Sequence, residues 1–349
     1  MARYDYTQRL TSLQKRRIDA VLLEHAFSTR DMRSITESYE TLQESSSIKY
    51  VIGAMLPVDN KYTQVTLSEG ERVKNHLQKL SEHSISVEFR FQGSVTNNTH
   101  IKAYSDIDIL TILRDFYLIE PPNKPTSPYL GDPIEDLCHL RRNCCEILCT
   151  AFPKADVVTS GSKSISLSGG SLKRKVDVVP SSWYNTVMYV NTMLDYYRGV
   201  KVLDYHKRVL ISNTPFLHNK RIEEKDGLAA NNYKKVVRLL KTIKADSDIQ
   251  ISSYDITSLI YHMENRAFLV GYSPLMLVKN TLEYLSTIIQ NPSYRAVLKV
   301  PDESRLIFQD GGANIENVSK LRQELSYIYQ DILESLMLTG TSIEKRIIS

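Results

Sequence analysis

Three aspartates in apolar stretches of the chain have the types and spacing needed for metal-assisted chemistry on phosphates. Asp106 and Asp108 alternate with Ile107 and Ile109, which is the pattern of a half-buried strand. Side chains at i and i+2 of a strand point to the same face, so we expect two adjacent carboxylates. A divalent cation relieves their repulsion, and Mg²⁺ prefers a few carboxylates together with substrate phosphates.

The third aspartate is Asp177, within the apolar run Val176–Pro180. An ionised carboxylate in such a strand costs free energy unless it is paired or binds a metal. On a strand beside the first, it would complete a site for two metal ions, which together hold the attacking and leaving oxygens of an in-line displacement. We therefore predict Asp106, Asp108 and Asp177 as catalytic and metal-binding residues. The alternative is that they cap turns and form ion pairs.

A Gly-Ser step, Gly93-Ser94, follows a predicted strand and precedes Asp106 by twelve residues. Glycine lets the backbone approach a phosphate closely. Ser94, with a short helix predicted over 95–103, would offer a hydroxyl and free N–H groups to a triphosphate. There is no Walker A lysine pattern, so the chain is not a P-loop protein. Each motif alone is common, and it is their order along one α/β region that favours nucleotidyl transfer.

The elements that must position these residues form an α/β region followed by helices. Strands are predicted at 84–91, 106–113, 155–160, 164–167 and 172–179, with helices at 62–82, 134–150, 183–198, 200–211, 230–245, 252–264, 274–290 and 315–335. Residues 1–45 are helical in pattern. We expect an α+β fold with two domains: residues 1–200, with the N-terminal helices and catalytic core, and a helical lobe over 201–349. The active site would lie in the cleft between them.

Composition narrows the class of protein only slightly. The net charge of +4 suits a protein that handles polyanions, but many other enzymes share it. No apolar run approaches the length of a membrane span, and the first residues lack the apolar segment of a secretory signal. We therefore expect a cytoplasmic protein that does not enter a membrane.

The four cysteines are clustered at Cys138, Cys144, Cys145 and Cys149, with His139 beside the first. Cysteine and histidine in a cluster can bind zinc. On the helix predicted here, however, Cys138, Cys145 and Cys149 recur on one apolar stripe. We favour packing in the core, where a free cysteine behaves as a small hydrophobe, and keep a metal site as the alternative.

Several of these segments resemble one known family. Gly93–Thr99 followed by Ser105–Asp108 resembles the polymerase-β-like nucleotidyltransferases, and within them the cGAS/DncV-like nucleotidyltransferases (CD-NTases) of bacterial CBASS anti-phage systems. Residues 57–75 are similar to the family's long spine helix. Tyr233–Lys241 resembles its basic helix, and Ser252–Tyr254 its Ser-Tyr step.

The resemblance implies a polymerase-β-like core with an oligoadenylate-synthetase-like helical lobe. The enzyme would join nucleoside triphosphates, ATP and a second one such as GTP, into a cyclic di- or trinucleotide second messenger and release pyrophosphate. It would use two Mg²⁺ or Mn²⁺ ions. No zinc ribbon of the cGAS type is recognisable, so no DNA activator is expected. A regulatory or effector protein encoded nearby is an expected partner.

The resemblance also implies roles for individual residues. Asp106 and Asp108 would bind both metals, and Asp177 would bind the catalytic one. Both residues of the Gly-Ser step would hold the triphosphate. The remaining roles lie in the second lobe, where Lys241 and Ser253 would contact phosphates and Tyr254 would stack on a base.

The residues of the second lobe agree with these roles in part. Lys234, Arg238 and Lys241 share one helix face and would neutralise triphosphate charge, unless that face is merely solvated. Tyr254 suits stacking or simple packing, and Ser253 suits phosphate contact or an N-cap. Two other functions stay open: a nucleotidyltransferase that extends RNA or modifies a protein, and a binding module without activity.

Overall fold

The computed structural model describes residues 4–18, 37–103, 105–338 and 340–343. The strands are β1 (Val87–Gln92), β2 (Ile107–Ile119), β3 (Asp156–Val158), β4 (Ile165–Ser168), β5 (Val176–Asn185), β6 (Arg198–Asp204) and β7 (Val209–Asn213). The helices are α1 (Tyr6–Arg17), α2 (Ser46–Met55), α3 (Asn60–Leu77), α4 (Pro133–Ala151), α5 (Val187–Thr192), α6 (Pro215–Leu228), α7 (Tyr233–Asp246), α8 (Ser253–Tyr261), α9 (Met276–Gln290), α10 (Pro292–Arg295) and α11 (Ile315–Leu338).

The chain forms two compact units. The first, called here the sheet unit, comprises Asn60–Asn97 and Tyr104–Arg221. The second, the helical unit, comprises Met1–Asp59, Asn98–Ala103 and Ile222–Ser349. The short segment 98–103 therefore belongs to the helical unit, although sheet-unit residues flank it on both sides.

A mixed sheet of seven strands organises the sheet unit. Five of them lie in the order β1-β2-β5-β4-β3, and β6 and β7 extend from β5. β2 and β5 are parallel neighbours, and β1 is antiparallel to β2. The second half of β5 pairs with β6, which pairs with β7. This arrangement places the strands that carry the three aspartates next to each other in the middle of the sheet.

Two helices, α3 and α4, pack against the sheet and give it a core. The N-cap of α4 is Asp132, whose carboxylate accepts the backbone N–H groups of Ile134 and Glu135. Buried Leu137 and Leu148 of this helix join one apolar cluster with Ile107, Ile109, Val73, Leu77, Val176 and Val178. The isoleucines on either side of Asp108 are thus anchored in the core, as their alternation predicted.

The helical unit has its own large apolar core. It is built from α2, α7, α8, α9 and α11, with buried Tyr50, Val237, Leu259, Leu285 and Ile328 among its members. Tyr6 of α1 also joins this cluster, and its Oη donates to Asp331 Oδ2 over 2.8 Å. The two ends of the described chain therefore pack in the same unit.

The two units differ from the predicted domain boundaries. The N-terminal helices predicted over residues 1–45 were expected to lie with the sheet. Residues 19–36 lie outside the described residues, and the buried side chains of α1 pack in the helical unit. The residues that follow position 200 were predicted to be helical and lie in the sheet unit as strands. The cleft position of the active site stays a prediction.

The helix predicted at 200–211 is wrong, because these residues form β6 and β7. Val200 and Val202 are buried with Trp183 in a small apolar cluster, while Lys201 between them is half-exposed. That alternation is typical of a strand. The helix predicted at 183–198 is largely wrong too, since β5 continues to Asn185 and α5 is short.

The short helix predicted after Ser94 is also wrong, because the chain turns there instead. Both the backbone N–H and the hydroxyl of Thr96 donate to the Gly93 carbonyl, and Asn98 adopts a φ of 56°. Threonine and asparagine compete with helical hydrogen bonds in this way. Ser94 therefore has no helix N-terminus behind it.

The prediction that the cysteines pack in the core is correct for two of the four. Cys138 and Cys144 are buried in the sheet-unit core, Cys145 is half-buried and Cys149 is exposed. The predicted stripe was therefore wrong for Cys149, because the buried positions in the second half of α4 are Cys144, Ile147 and Leu148, and Cys149 lies off that face. In the described ranges, no helix is both long and apolar enough to cross a membrane.

Candidate active site

The register of the central strands brings the aspartates together. Asp108 of β2 lies directly opposite Asp177 of the parallel strand β5. Asp106 precedes the first residue of β2 and points to the same face as Asp108. Two carboxylates from one strand and one from its neighbour thus meet on one face of the sheet.

Lys175 lies two residues before Asp177 and joins two of the three carboxylates. Its Nζ donates to Asp177 Oδ2 over 2.8 Å and to Asp106 Oδ2 over 3.4 Å. The hydrogen bond to Asp177 is the main reason that the pKa of Lys175 is raised. This lysine was missed in the sequence, although the same i, i+2 rule that paired Asp106 with Asp108 applies to it.

The clustering of carboxylates has its largest effect on the pKa of Asp108. Burial, followed by repulsion from Asp177 and Asp106, raises the pKa of Asp108 to about 6. The Oδ1 atom of Asp177 is buried without a hydrogen-bond partner. Oxygen ligands at high negative charge density, one of them buried and unsatisfied, suit a divalent cation such as Mg²⁺.

The three aspartate side chains are not arranged as ligands around a single metal position in this structure. Within the described residues, no three acidic, histidine or cysteine side chains are close enough together to hold a metal ion. The Lys175 ammonium instead links Asp106 and Asp177. The residue types and the shared sheet face fit a metal, and the side chains would need to converge around it.

Gly93 lies against the same site. It follows Gln92, which is opposite Asp108 across β1 and β2, and its φ of +101° is rarely adopted by other residues. A Cβ built at this position would lie 3.3 Å from Asp108 Oδ2. The backbone at the Gly-Ser step therefore passes next to a carboxylate, and half-exposed Ser94 follows directly.

The three basic residues of α7 lie on one face, as predicted, but the interpretation as a solvated face is wrong. All three are buried. Lys234 pairs with Glu223 over 2.6 Å, and Arg238 donates to the carbonyls of Met55 and Asn98 over 2.9 and 2.7 Å. Burial lowers the pKa of Arg238 to about 10.

Lys241 holds the segment that follows the Gly-Ser turn. Its Nζ donates to the Thr99 carbonyl over 2.9 Å and to Thr99 Oγ1 over 3.0 Å. Burial, with repulsion from Arg238 and Lys244, lowers the pKa of Lys241 to about 7. Together with Arg238, this lysine ties residues 98–99 to α7, which the helical periodicity alone could not predict.

The environment of Lys241 gives a prediction about stability and pH. Its folded pKa lies below that of an unfolded lysine, so between those values the unfolded state binds more protons. The burial penalty is fully present below pH 7 and is relieved as the pH rises above it. We therefore compare the free energy of unfolding of Lys241→Met with that of the unsubstituted protein at two pH values. We expect this difference to favour the variant by about 2–3 kcal/mol more at pH 6 than at pH 9.

Urea denaturation at both pH values measures this difference. Exposed Lys320→Met is the matched control, and its effect should be the same at pH 6 and pH 9. An equally pH-independent effect of Lys241→Met would contradict the lowered pKa.

The Ser-Tyr step lies at the start of α8. Ser252, rather than Ser253, is the N-cap, since its Oγ accepts the backbone N–H of Asp255 over 2.9 Å. Ser253 is exposed. Tyr254 is half-buried, its hydroxyl lies 3.3 Å from Asp302 Oδ1, and the Arg305 guanidinium lies 5.3 Å from its ring centre. The N-cap alternative for Ser253 is therefore wrong, and a phosphate or base contact at this step stays a prediction.

Comparison with known proteins identifies relatives of the whole chain. A model of the cGAS/DncV-like nucleotidyltransferase C-terminal helical domain matches residues 220–330. The cyclic dinucleotide synthase CdnE of Yersinia aleksiciae is 36% identical over 93% of this chain and 86% of its own. The c-di-GMP synthase of Lachnospiraceae bacterium (strain RUG226) is 30% identical over 95% of this chain and 100% of its own.

The fold also matches a solved structure. The STING-associated CdnE c-di-GMP synthase from Capnocytophaga granulosa superposes with a TM-score of 0.74 at 28% identity, covering 95% of this chain and 99% of that one. The predicted α+β fold with a C-terminal helical domain is confirmed. By sequence and by fold, the chain belongs to the cGAS/DncV-like nucleotidyltransferases, a family of enzymes that generally depend on divalent metal ions.

Proposed function

We propose that this enzyme joins two nucleoside triphosphates into a cyclic dinucleotide. A ribose hydroxyl of one nucleotide attacks the α-phosphorus of the other, and the bond from that phosphorus to pyrophosphate breaks. A second attack of the same kind closes the ring and releases a second pyrophosphate. The observation that carries the proposal is the meeting of Asp106, Asp108 and Asp177 on one sheet face beside Gly93.

The carboxylates have distinct parts in this proposal. Asp106 and Asp108 would hold two Mg²⁺ or Mn²⁺ ions, and Asp177 would bind the catalytic one. Bound ions of this kind supply charge stabilisation to the attacking and leaving oxygens. Asp177, on the strand beside them, would also orient or deprotonate the attacking hydroxyl.

The nucleotide contacts follow the family resemblance. Gly93 and Ser94 hold the triphosphate through the close backbone approach described above. Lys234, Arg238 and Lys241 supply positive charge. All three are bound to protein groups in the structure, so a direct phosphate contact requires them to exchange those partners.

The helix α8 supplies the remaining contacts. Exposed Ser253 contacts phosphate, and Tyr254 stacks on a base through the part of its ring that burial leaves open. ATP and a second triphosphate such as GTP are the substrates. The relatives named as c-di-GMP synthases make a guanine-only product the first to test.

The product would act as a second messenger in anti-phage signalling. The support is the relationship to CdnE synthases, one of which is described as STING-associated. We further propose that the enzyme works in the cytoplasm, needs no DNA activator, and is coupled to a regulatory or effector protein encoded nearby.

Incubation with labelled nucleotides tests the reaction. GTP alone, ATP alone and their mixture are each incubated with the protein and Mg²⁺ or Mn²⁺, treated with phosphatase and separated by chromatography. We expect a phosphatase-resistant labelled dinucleotide, whose dependence on GTP or ATP identifies its bases. Label on an RNA or a protein added as acceptor would instead support the alternative nucleotidyltransferase, and no phosphatase-resistant product with any mixture would overturn the proposed reaction.

A further inference from the structure

Lys175 occupies the position that a cation would take among the carboxylates. Its Nζ lies within 2.8 Å of Asp177 and 3.4 Å of Asp106, and it bridges residues of two neighbouring strands. Lys175 and Asp177 both belong to the start of the same extended segment and point to the same face. Lys175 directly precedes β5, so the backbone that positions Asp177 also brings the Lys175 side chain to the same face.

The bridge is held loosely at one end and tightly at the other. The Lys175 side chain is 41% exposed and Asp106 is 51% exposed, whereas Asp177 is only 15% exposed. Partly exposed ion pairs contribute little free energy, and a lysine is a flexible point charge with an open path to solvent. Lys175 can therefore leave this position without disturbing the strands.

A divalent ion competes for the same oxygens. It approaches carboxylate oxygens more closely than an ammonium does and carries twice the charge. The ammonium already holds Asp177 Oδ2 and Asp106 Oδ2, and a divalent ion bound to the same carboxylates would repel it at short range. Binding of the ion therefore favours departure of the ammonium.

We propose that Lys175 is a positioning residue that occupies the metal-free site and is displaced by the divalent ion, so that it sets the ion concentration at which the enzyme loads. This rests on the proposed function, in that the same carboxylates hold the metal. Before loading, the ammonium stabilises two carboxylates that would otherwise repel each other and Asp108.

Lys175→Met tests this, with two measurements made on nucleotide-free protein. The melting temperature without metal should fall, because the carboxylates lose their counter-charge. The dissociation constant for Mn²⁺, measured by calorimetry or by electron paramagnetic resonance, should fall about three- to fivefold, which is the upper part of the range expected for loss of a partly exposed ion pair.

Two variants separate the bridge from a general effect of charge. Exposed Lys173→Met removes the same charge two residues earlier and should change the Mn²⁺ constant less than twofold. Lys175→Arg keeps the charge and should keep Mn²⁺ binding as weak as in the unsubstituted protein. If Lys175→Met leaves Mn²⁺ binding unchanged or weaker, or if Lys173→Met matches its effect, the proposal is overturned.

These measurements are independent of catalysis. If the protein makes no nucleotide product but Lys175→Met still tightens Mn²⁺ binding, the proposed reaction fails and the competition at Asp106 and Asp177 stands. If the product forms but the Mn²⁺ constants do not change, the reaction stands and the role of Lys175 is wrong.

Discussion

Changing both Asp106 and Asp108 to asparagine will abolish nucleotide incorporation, with a loss on the order of 1,000-fold or more. Asparagine has nearly the same shape, but it removes two negative charges from the face where they meet Asp177. The fold should survive. Like-charge repulsion contributes to the raised pKa of Asp108, so its removal should leave the melting temperature unchanged or higher.

The labelled-nucleotide assay and a thermal melt measure the two effects together. Asp156→Asn is the control, because Asp156 is an exposed aspartate on β3, at the far edge of the sheet. It should keep full activity. Product formation by the double variant at a rate near that of the unsubstituted protein would rule out these carboxylates as the metal ligands.

Gly93→Ala should lower activity on the order of 100-fold, because it displaces a carboxylate that must be held within a fraction of an ångström. The new methyl group would lie 3.3 Å from Asp108 Oδ2, and the φ of +101° is unfavourable for alanine. The strain alone should cost about 1 kcal/mol or more of stability.

Gly169→Ala separates strain from contact. Gly169 also has a positive φ, of +70°, but a Cβ there meets nothing within 4 Å. This control should lose stability and keep its activity, whereas Gly93→Ala should lose both. If the two variants lose activity equally when compared at a temperature where each is folded, the close approach to Asp108 has no catalytic importance.

The strand pattern was enough to predict the local geometry of the site. Alternation placed Ile107 and Ile109 in the core and Asp106 and Asp108 on the other face, and the structure agrees. The same rule would have placed Lys175 on the same face as Asp177, two residues along. It was overlooked because a lysine among aspartates looks like an ordinary surface charge until the strand register is known.

Features that depend on distant partners were not predictable in this way. A helical wheel places Lys234, Arg238 and Lys241 on one face but cannot tell whether that face meets solvent or backbone. Arg238 and Lys241 are buried because the carbonyls of Asn98 and Thr99 accept their hydrogen bonds. Those carbonyls are about 140 positions from Arg238 and Lys241 in sequence, and they belong to the segment 98–103, which lies in the helical unit.

The hydrogen bond between Tyr6 and Asp331 has a consequence for the way this protein is made. The two residues are 325 positions apart, so a ribosome releases α1 long before it releases α11, whose Asp331 accepts this hydrogen bond. Every strand of the sheet is complete by Asn213. The sheet is therefore able to fold during translation, while Tyr6 at the start of α1 awaits Asp331 of the last helix. In nascent chains stalled before α11, we expect the residues around Tyr6 to be cut by protease more readily than the sheet.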